Sequence, residues 1–345
     1  MSSTQSTLPT ARLGSQGPLV PRLGLGLMGM SVFYGAAGSD EDRFKILDRA
    51  IEIGETFWDT ADMYGDNEEM LGRYFKSRPD ARAKVFLATK FSFKNNNTEN
   101  DSSPEYIKWA IDQSLSKLGL NYVDLYYCHR VDGVTPIEKT MEALKELKQQ
   151  GKIKYIGLSE VSARTLYRAV KVEHVDAVQL EYSPFSLECE QDDDERYGVK
   201  KACEELGVAL VAYSPLGRGM MTGKYRSPND LAPDDGRRWF PRFSEENFPK
   251  SLKVVDKFTE IAQAKGCTAG QLTLAWLLTR GDMVFAIPGT TKIKSLEENV
   301  ATGQVHLEQN EIDQLQTVIK AAEVGGDRYP QGVGANLYAD TPAME

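Results

Sequence analysis

The sequence predicts an α/β fold, a (β/α)8 TIM barrel with an N-terminal β-hairpin cap and long loops at its mouth. Two observations support this prediction: eight short apolar runs alternate with helical patterns, and most of these runs are apolar throughout. Strands made of continuous apolar residues indicate a parallel sheet that is buried on both faces. Eight such units in one chain favour a closed barrel, and a doubly wound sheet, which has the same periodicity, is the alternative.

Each predicted strand is a short apolar run that ends at Gly, Pro or polar residues. The eight predicted strands are Leu23–Leu27, Thr56–Asp59, Val85–Thr89, Val123–Cys128, Lys154–Leu158, Ala177–Leu180, Val208–Tyr213 and Val284–Ile287. Ahead of the first strand, the segment Thr10–Val20 contains Gly14 and Gly17 and predicts a hairpin that caps the bottom of the barrel.

Helices are predicted between the strands from apolar residues at helical spacing and from capping residues. Ser39 and Ser103 are predicted N-caps, and Thr135 with Glu138 predicts a capping box for a helix that begins at Pro136 and stops at Gly151. The other predicted helices are Asp40–Ile53, Glu69–Phe75, Pro104–Leu118, Ser162–Val170, Glu195–Leu206, Cys267–Arg280 and Ser295–Thr302.

Residues 1–345 are predicted to form a single domain, with irregular tails at 1–10 and 325–345. The stretch Leu216–Lys250 breaks the pattern of short connections and is rich in Gly, Pro, Arg and aromatic residues. Loops of this length in a compact domain are usually functional or disordered. We therefore expect this stretch to contribute to a binding site.

Composition limits the kinds of partner that the protein can have. Forty-one basic and 50 acidic residues give a formal charge of −9, which disfavours binding to nucleic acids and to anionic membranes. Four cysteines lie far apart with no CxxC pair, so no metal site or dithiol motif is predicted. The polar N-terminus has no apolar signal segment, and we expect a cytoplasmic protein whose partner is a small molecule.

Four titratable residues stand at or just after the ends of three consecutive predicted strands. Asp59 ends the second strand, Tyr64 follows in the next loop, Lys90 ends the third strand, and His129 ends the fourth. The carboxyl ends of barrel strands share one rim, which is where active sites of such barrels are built. Each residue alone has an ordinary structural explanation, but the four together predict a catalytic site.

The chemistry of these four side chains suits proton transfer to a carbonyl group. A buried ammonium beside a phenol favours the phenolate and is expected to lower the pKa of Tyr64. Asp59 would keep Lys90 charged, and a neutral His129 would orient a carbonyl oxygen. We therefore expect general acid catalysis on a carbonyl that receives a hydride.

Several motifs in order along the chain resemble those of the aldo-keto reductases. The resemblance rests on Phe57–Gly65 (FWDTADMYG), Leu87–Lys90 (LATK), Tyr126–His129 (YYCH), Ile156–Glu160 (IGLSE), Val178–Tyr182 (VQLEY), Ala212–Leu216 (AYSPL) and Ile287–Thr290 (IPGT). Within that family, Ile287–Lys294 (IPGTTKIK) and Leu158–Val161 resemble most the branch that contains perakine reductase, pyridoxal reductase and the auxin-induced-protein homologues.

The resemblance implies NADP(H) as the cofactor and assigns roles to particular residues. Tyr64 would be the general acid, Lys90 and Asp59 its tuning pair, and His129 the residue that orients the carbonyl. The residues implied in cofactor binding are Gly29, Met30, Ser159, Gln179, Tyr213, Ser214, Leu216, Gly217, Gly219, Gly289, Lys292, Ser295, Glu298 and Asn299. Of these, Ser159 and Gln179 would bind the nicotinamide carboxamide, and Tyr213 would stack on the ring.

Two positions depart from the family pattern. Glu160 stands where many members have Asn, and a carboxylate cannot donate a hydrogen bond to the carboxamide. Ser295 stands where many members have Arg, so the 2′-phosphate must find its cation elsewhere. Lys292 is the first candidate and Lys294 the second, with a helix N-terminus near Ser295 supplying N–H donors.

Two alternatives accompany this interpretation. The run Gly24–Gly29 fits GxGxxG, but no strand directly precedes it and no helix opens at its end, so a Rossmann site is disfavoured. A regulatory subunit that binds the cofactor and turns over slowly is the alternative function. The side chains expected to line a substrate pocket are Phe33, Tyr34, Phe91, Arg130, Trp239, Phe240 and Arg242.

Overall fold

A computed structural model describes residues 8–35, 37–95, 97–331 and 336–344. The parts of the predicted tails at 1–7, 332–335 and 345 lie outside the described residues. The strands are β1 (Thr10–Arg12), β2 (Leu19–Pro21), β3 (Leu25–Gly26), β4 (Phe57–Asp59), β5 (Phe86–Phe91), β6 (Phe93–Lys94), β7 (Glu99–Asn100), β8 (Val123–Cys128), β9 (Ile153–Ser159), β10 (Ala177–Glu181), β11 (Ala209–Tyr213) and β12 (Val284–Ala286).

The α-helices lie mostly between the barrel strands. They are α1 (Asp40–Glu52), α2 (Asn67–Ser77), α3 (Pro104–Leu118), α4 (Ile137–Gln149), α5 (Ala163–Ala169), α6 (Val199–Leu206), α7 (Phe248–Lys265), α8 (Ala269–Leu278), α9 (Ile293–Val300) and α10 (Gln309–Lys320). None of the helices within the described ranges combines the length and the apolar character needed to cross a bilayer.

Eight parallel strands form one sheet that closes on itself. Their order is β3, β4, β5, β8, β9, β10, β11 and β12. The first and last strands are joined by backbone hydrogen bonds, Gly24 N to Ala286 O at 2.8 Å and Ala286 N to Arg22 O at 2.9 Å. Parallel bridges at Leu23–Ala286 and Gly26–Gly289 complete the closure. The predicted (β/α)8 barrel is therefore confirmed, and all eight predicted strands are present.

The N-terminal hairpin closes the bottom of the barrel, as predicted. Strands β1 and β2 pair antiparallel, and buried Leu13 and Val20 join the apolar side chains inside the barrel. Arg22 fastens this end to the last βα unit, because its guanidinium donates to the carbonyl oxygens of Leu278 (2.8 Å) and Val284 (3.0 Å).

A close approach of two neighbouring strands shapes the barrel interior. Gly157 on β9 pairs in register with Tyr127 on β8, and a Cβ at this glycine would lie 2.2 Å from Cδ1 of the tyrosine ring. The absence of a side chain thus lets the Tyr127 ring lie flat against β9. The Tyr127 ring centroid is 5.9 Å from Nζ of Lys90, so the ring also packs beneath this residue of the rim.

The helix predictions are correct where capping residues are clear. Ser39 accepts a hydrogen bond from Asp42 N and Ser103 from Tyr106 N, and Gly119 ends α3 with a φ of +63°. The predicted capping box at Thr135 is wrong. The Thr135 amide and hydroxyl both donate to Asp132, at 2.7 Å each, and α4 begins at Ile137 without a side-chain cap.

Two helices went unpredicted, and both follow the end of a loop. Helix α7 begins at Phe248, inside the stretch expected to be a loop, and runs to Lys265 with Val254, Val255 and Phe258 buried. Helix α10 packs against α7 and buries Leu315 and Ile319. The stretch between β11 and α7 consists mainly of short 3-10 turns, such as Gly236–Trp239.

The C-terminal segment is held against the barrel by hydrogen bonds. Ala339 pairs with the chain just after β9, with its N–H donating to Glu160 O at 2.8 Å and its carbonyl accepting from Ser162 N at 3.0 Å. Tyr338 is buried, and Arg196 donates to its carbonyl oxygen at 3.2 Å. Residues that follow the last helix therefore contribute to the mouth of the barrel.

We predict that Gly157→Ala lowers the free energy of unfolding by about 1–3 kcal/mol, because the new methyl group collides with the Tyr127 ring in a packed interior. Urea denaturation monitored by circular dichroism measures the change. Gly38→Ala is the matched control, since the nearest atom to a Cβ there is Asp42 Cβ at 3.9 Å. Equal stabilities of the two variants would contradict the prediction.

Candidate active site

An ammonium, a carboxylate and a phenol meet at the rim of the barrel. Nζ of Lys90, at the end of β5, donates to Asp59 Oδ1 at the end of β4. The same nitrogen donates to Thr60 O at 2.9 Å and lies 3.4 Å from Tyr64 Oη. All three titratable side chains are buried, so the structure brings Asp59, Tyr64 and Lys90 together.

Burial determines the protonation state of the phenol. Burial raises the pKa of Tyr64 above its usual value near 10, and the Lys90 ammonium opposes this shift without cancelling it. The expectation that Lys90 brings this pKa below its usual value is therefore wrong. Burial also acts to lower the pKa of Lys90, but Asp59 and Tyr64 outweigh it and raise that pKa. The site thus holds a neutral phenol beside a charged amine.

His129 completes the rim. Its ring lies edge-on to Tyr64, with centroids 5.9 Å apart, and edge-on to Phe93, with centroids 5.0 Å apart. Burial, with help from the neighbouring cations Arg130 and Lys90, lowers the pKa of His129 well below 6.5. The imidazole is neutral at physiological pH.

The loop that carries Tyr64 is fixed from both sides. Asp66 receives hydrogen bonds from the Arg43 guanidinium at 2.9 and 3.0 Å, and this contact helps to lower the pKa of Asp66 to about 2. Asn67 is buried, accepts from Thr60 Oγ1 at 2.6 Å and donates to Leu27 O at 3.0 Å. These contacts tie the loop to α1 and to the chain after β3.

Ser159 and Gln179 lie side by side across the mouth. Nε2 of Gln179 donates to Asp59 Oδ2 at 2.8 Å, so this glutamine also orients the carboxylate that pairs with Lys90. Oγ of Ser159 accepts from Arg130 Nη1 at 3.1 Å. Neither contact is visible in the sequence, because the residues come from different strands.

Glu160, the departure from the family pattern, faces the C-terminal segment. Its buried carboxylate accepts from Tyr213 Oη at 2.7 Å and from Arg328 at 3.1 and 3.3 Å. The backbone at Glu160 has a φ of +53°, which is strained for a residue with a side chain. Glu160 therefore holds the tyrosine that is expected to stack on a nicotinamide ring.

Five charged residues, three buried and two partly buried, form a cluster at the mouth, which we call the mouth ion cluster. Its members are Glu160, Glu181, Arg218, Arg242 and Arg328. Glu181 accepts from Arg218 at 3.2 Å and from Arg242 at 3.4 Å; although burial acts to raise its pKa, the guanidinium groups hold that pKa below its usual value. The Arg218 guanidinium also lies 3.8 Å from the Phe240 ring centroid and 4.7 Å from that of Tyr329.

Backbone donors and cations suited to phosphate groups lie on the next two units. After β11, Ser214, Gly217, Arg218 and Gly219 all have positive φ, and such turn conformations create concave sets of N–H groups. Helix α9 begins after Lys292 with no side chain capping its first turn. Lys292 and Lys294 are exposed, and neither pairs with a carboxylate in the described part of the chain.

The remaining sequence-predicted cofactor residues lie on the same two units or at the end of β3. Gly26 and Gly289 are bridged where β3 meets the chain after β12, and Gly29 and Met30 follow in a 3-10 turn. Ser295 and Asn299 lie on α9. Glu298 is also on α9, and its carboxylate accepts from Thr268 Oγ1 at 2.7 Å.

The expected pocket-lining side chains do not all face the mouth. Phe91 is fully buried and packs on Tyr126 with ring centroids 4.9 Å apart, because alternation along β5 points Lys90 inward and Phe91 outward. Trp239 is 81% exposed. Arg242 belongs to the mouth ion cluster, and Phe240 packs on Arg218 of that cluster. Arg130 lies beside Ser159.

Comparison with known proteins adds independent findings. Residues 22–320 match the Aldo/keto reductase family. The aldo-keto reductase yakc [NADP(+)] of Schizosaccharomyces pombe is 47% identical over 344 residues, which cover 98% of this chain and 99% of that protein. The aldo-keto reductase str7 of Strobilurus tenacellus is 45% identical over 342 residues, with coverage of 98% and 99%.

Two solved structures share the fold. The thermostable aldo-keto reductase Tm1743, solved with the inhibitor epalrestat, has a TM-score of 0.70 and 30% identity over 90% of this chain and 100% of that chain. The glycerol dehydrogenase AKR11B4 from Gluconobacter oxydans has a TM-score of 0.79 and 25% identity over 92% of this chain and 97% of that chain.

We predict that Arg328→Met lowers the free energy of unfolding by about 3–5 kcal/mol, because it leaves the buried Glu160 carboxylate without its cation. The double variant Glu160→Gln/Arg328→Met should lose less, since it removes both charges. Chemical denaturation of the set measures this coupling.

Arg164→Met, on α5, is the matched control, because Arg164 pairs with Asp340 of the C-terminal segment. The Arg164–Asp340 pair is exposed, so its loss should cost less than about 1 kcal/mol. An equal decrease in the free energy of unfolding in Arg164→Met and Arg328→Met would contradict the prediction that the buried pair contributes more to stability than the exposed pair.

Proposed function

Because the chain belongs to the aldo/keto reductase family, we propose that it reduces an aldehyde or ketone to an alcohol with Tyr64 as the proton donor. The protein is an NADP-dependent oxidoreductase, and the reaction it performs is reversible carbonyl reduction. The observation that carries the residue assignment is the position of Lys90 Nζ, which contacts both Asp59 and Tyr64 on one rim.

The chemistry that NADPH would supply, when bound, is transfer of a hydride to the carbonyl carbon. The developing negative charge on the carbonyl oxygen is then met by the Tyr64 hydroxyl, which donates its proton. Since burial keeps the phenol protonated, the donor is ready before the substrate arrives. The adjacent Lys90 ammonium stabilises the phenolate that remains, and Asp59 holds that ammonium in place.

His129 acts as a neutral hydrogen-bonding group in this proposal. Its Nδ1 is buried and has no hydrogen-bond partner among the described residues. Because Nδ1 is enclosed by protein, Nε2 is the nitrogen that we propose for a carbonyl oxygen at the mouth. A neutral imidazole can donate to that oxygen without competing with Lys90 for Asp59. Tyr64 and His129 together would fix the direction of the carbonyl group.

The residues at the mouth suit a phosphorylated dinucleotide. Ser159 and Gln179 would hold the carboxamide, and Tyr213, fixed by Glu160, would support the nicotinamide ring. Ser214, Leu216, Gly217 and Gly219 would contact the pyrophosphate through the turn after β11.

The uncapped first turn of α9 is the observation that fits the 2′-phosphate. Lys292 would provide the cation there, Ser295 and Asn299 would lie beside the adenosine end, and Lys294 is the second candidate. Gly29, Met30, Gly289 and Glu298 complete the proposed set. In Glu298, Oε1 accepts from Thr268 and the carbonyl oxygen accepts from Gln271, so Oε2 and the aliphatic part of the side chain are the groups that remain.

We further propose that residues 1–345 act as one domain on a small-molecule substrate in the cytoplasm. Four free thiols, three of them buried, support a reducing compartment. The mouth ion cluster and the aromatic rings around Arg218 would border the substrate.

Substitution of Tyr64 tests the proposal. We expect Tyr64→Phe to lower kcat/KM for reduction of 4-nitrobenzaldehyde by about 10²–10⁴-fold, because the proton donor is lost. NADPH binding, measured by fluorescence titration, should stay within about twofold, since the hydroxyl contacts Lys90 rather than the proposed cofactor residues. Tyr122→Phe is the control, because Tyr122 precedes β8 at the opposite end of the barrel. Full activity of Tyr64→Phe would overturn the assignment.

The pKa directions predict a flat pH profile. Tyr64 stays protonated because its pKa is raised, and His129 stays neutral because its pKa is lowered. We therefore expect kcat/KM for reduction to change little between about pH 6 and about pH 9, measured at saturating NADPH. A decline with an apparent pKa between about 7 and 8 would mean that one of these groups titrates in that range, contrary to the prediction.

A further inference from the structure

The carboxamide of a nicotinamide ring needs both a hydrogen-bond acceptor and a donor, because it carries an NH2 group and a carbonyl oxygen. Gln179 can supply the acceptor. One N–H of its Nε2 is donated to Asp59 Oδ2 at 2.8 Å, and Oε1 is available to accept from the NH2 group. Glu160 cannot supply the donor, since a carboxylate only accepts and this one is held by Tyr213 and Arg328.

Arg130 is a charged donor that contacts Ser159, one of the proposed carboxamide residues. It follows His129 directly, and its Nη1 donates to Ser159 Oγ at 3.1 Å and to His129 O at 2.6 Å. A guanidinium has five N–H groups. Nε and Nη2 of Arg130 make no hydrogen bond to any residue in the described ranges, and no carboxylate there pairs with it.

Other arginines at the mouth are already committed. Arg218 and Arg242 pair with Glu181, and Arg328 pairs with Glu160. Arg237 pairs with Asp235. Arg130 differs from these four because its hydrogen-bond partners are a hydroxyl and a carbonyl oxygen, and no carboxylate among the described residues accepts a hydrogen bond from it.

We propose that Arg130 donates to the carbonyl oxygen of the nicotinamide carboxamide, supplying the hydrogen bond that Glu160 cannot. The inference rests on the proposed function, since it requires a dinucleotide at the mouth. Arg130, Ser159 and Gln179 then form one set, with a cationic donor, a hydroxyl and an amide acceptor. In this arrangement Arg130 is a cofactor-binding residue and Glu160 is a positioning residue for Tyr213.

Binding measurements separate the carboxamide from the rest of the cofactor. We expect Arg130→Met to raise the Kd for NADPH about tenfold or more, as for the loss of a hydrogen bond to a charged group. The Kd for 2′-phospho-ADP-ribose, which has no nicotinamide, should stay within about twofold, since the lost bond has no counterpart in that ligand. The 3-acetylpyridine analogue of NADPH keeps the carbonyl oxygen and should lose as much affinity as NADPH. Isothermal titration calorimetry measures all three ligands.

Arg242→Met is the matched control. Arg242 lies at the same mouth but on Glu181, which keeps Arg218 as its partner. The ratio of the NADPH and 2′-phospho-ADP-ribose Kd values should be the same for this variant and the wild type. Arg130→Lys retains the charge without the planar fork, and we expect a smaller increase in the NADPH Kd. Arg130→Lys also provides the test if Arg130→Met fails to fold.

Two outcomes would overturn the inference. Unchanged NADPH affinity in both Arg130 variants would exclude the contact. If KM for 4-carboxybenzaldehyde then rose relative to 4-nitrobenzaldehyde, Arg130 would recognise an anionic substrate instead. Failure of the wild-type protein to bind either NADPH or 2′-phospho-ADP-ribose would count against the proposed function itself, which distinguishes the two failures.

Discussion

The buried contact between Lys90 and Asp59 is the interaction on which the rest of the site depends. An ammonium without exposure to water needs a carboxylate and further acceptors, and here Thr60 O supplies one of them. Asp59 in turn needs a donor for its second oxygen, which comes from Gln179 on β10. Since β4 and β10 are not neighbours in the sheet, only a closed barrel brings these two side chains within 2.8 Å. The geometry of the catalytic residues therefore depends on closure of the barrel.

Local sequence patterns were sufficient to predict the barrel and its rim. All eight strands, the hairpin and the caps at Ser39, Ser103 and Gly119 follow from alternation, periodicity and backbone preference. The positions of Asp59, Lys90 and His129 follow from strand ends. The capping box failed because Asp132 competes for Thr135, and the pKa of Tyr64 was misjudged because the extent of burial depends on distant segments.

Contacts between segments far apart in sequence were beyond local patterns. The partners of Glu160 come from β11 and from the C-terminal segment, and no motif marks Arg328. The sequence did contain one clue to this cation. Glu160 stands where many members of the family have a neutral amide, and a buried carboxylate requires a cation. Helix α7 was hidden because aromatic and glycine-rich turns precede it, although its apolar residues recur at helical spacing.

The junction between the first and last barrel strands has a consequence for biosynthesis. A ribosome releases Leu23 and Arg22 long before their partners Ala286 and Val284 exist. Until those residues emerge, the β3 edge has no neighbour on one side, and the barrel interior stays open to water. The barrel core therefore cannot be shielded from water until the last strand has been synthesised, which prolongs the exposure of its apolar side chains to aggregation.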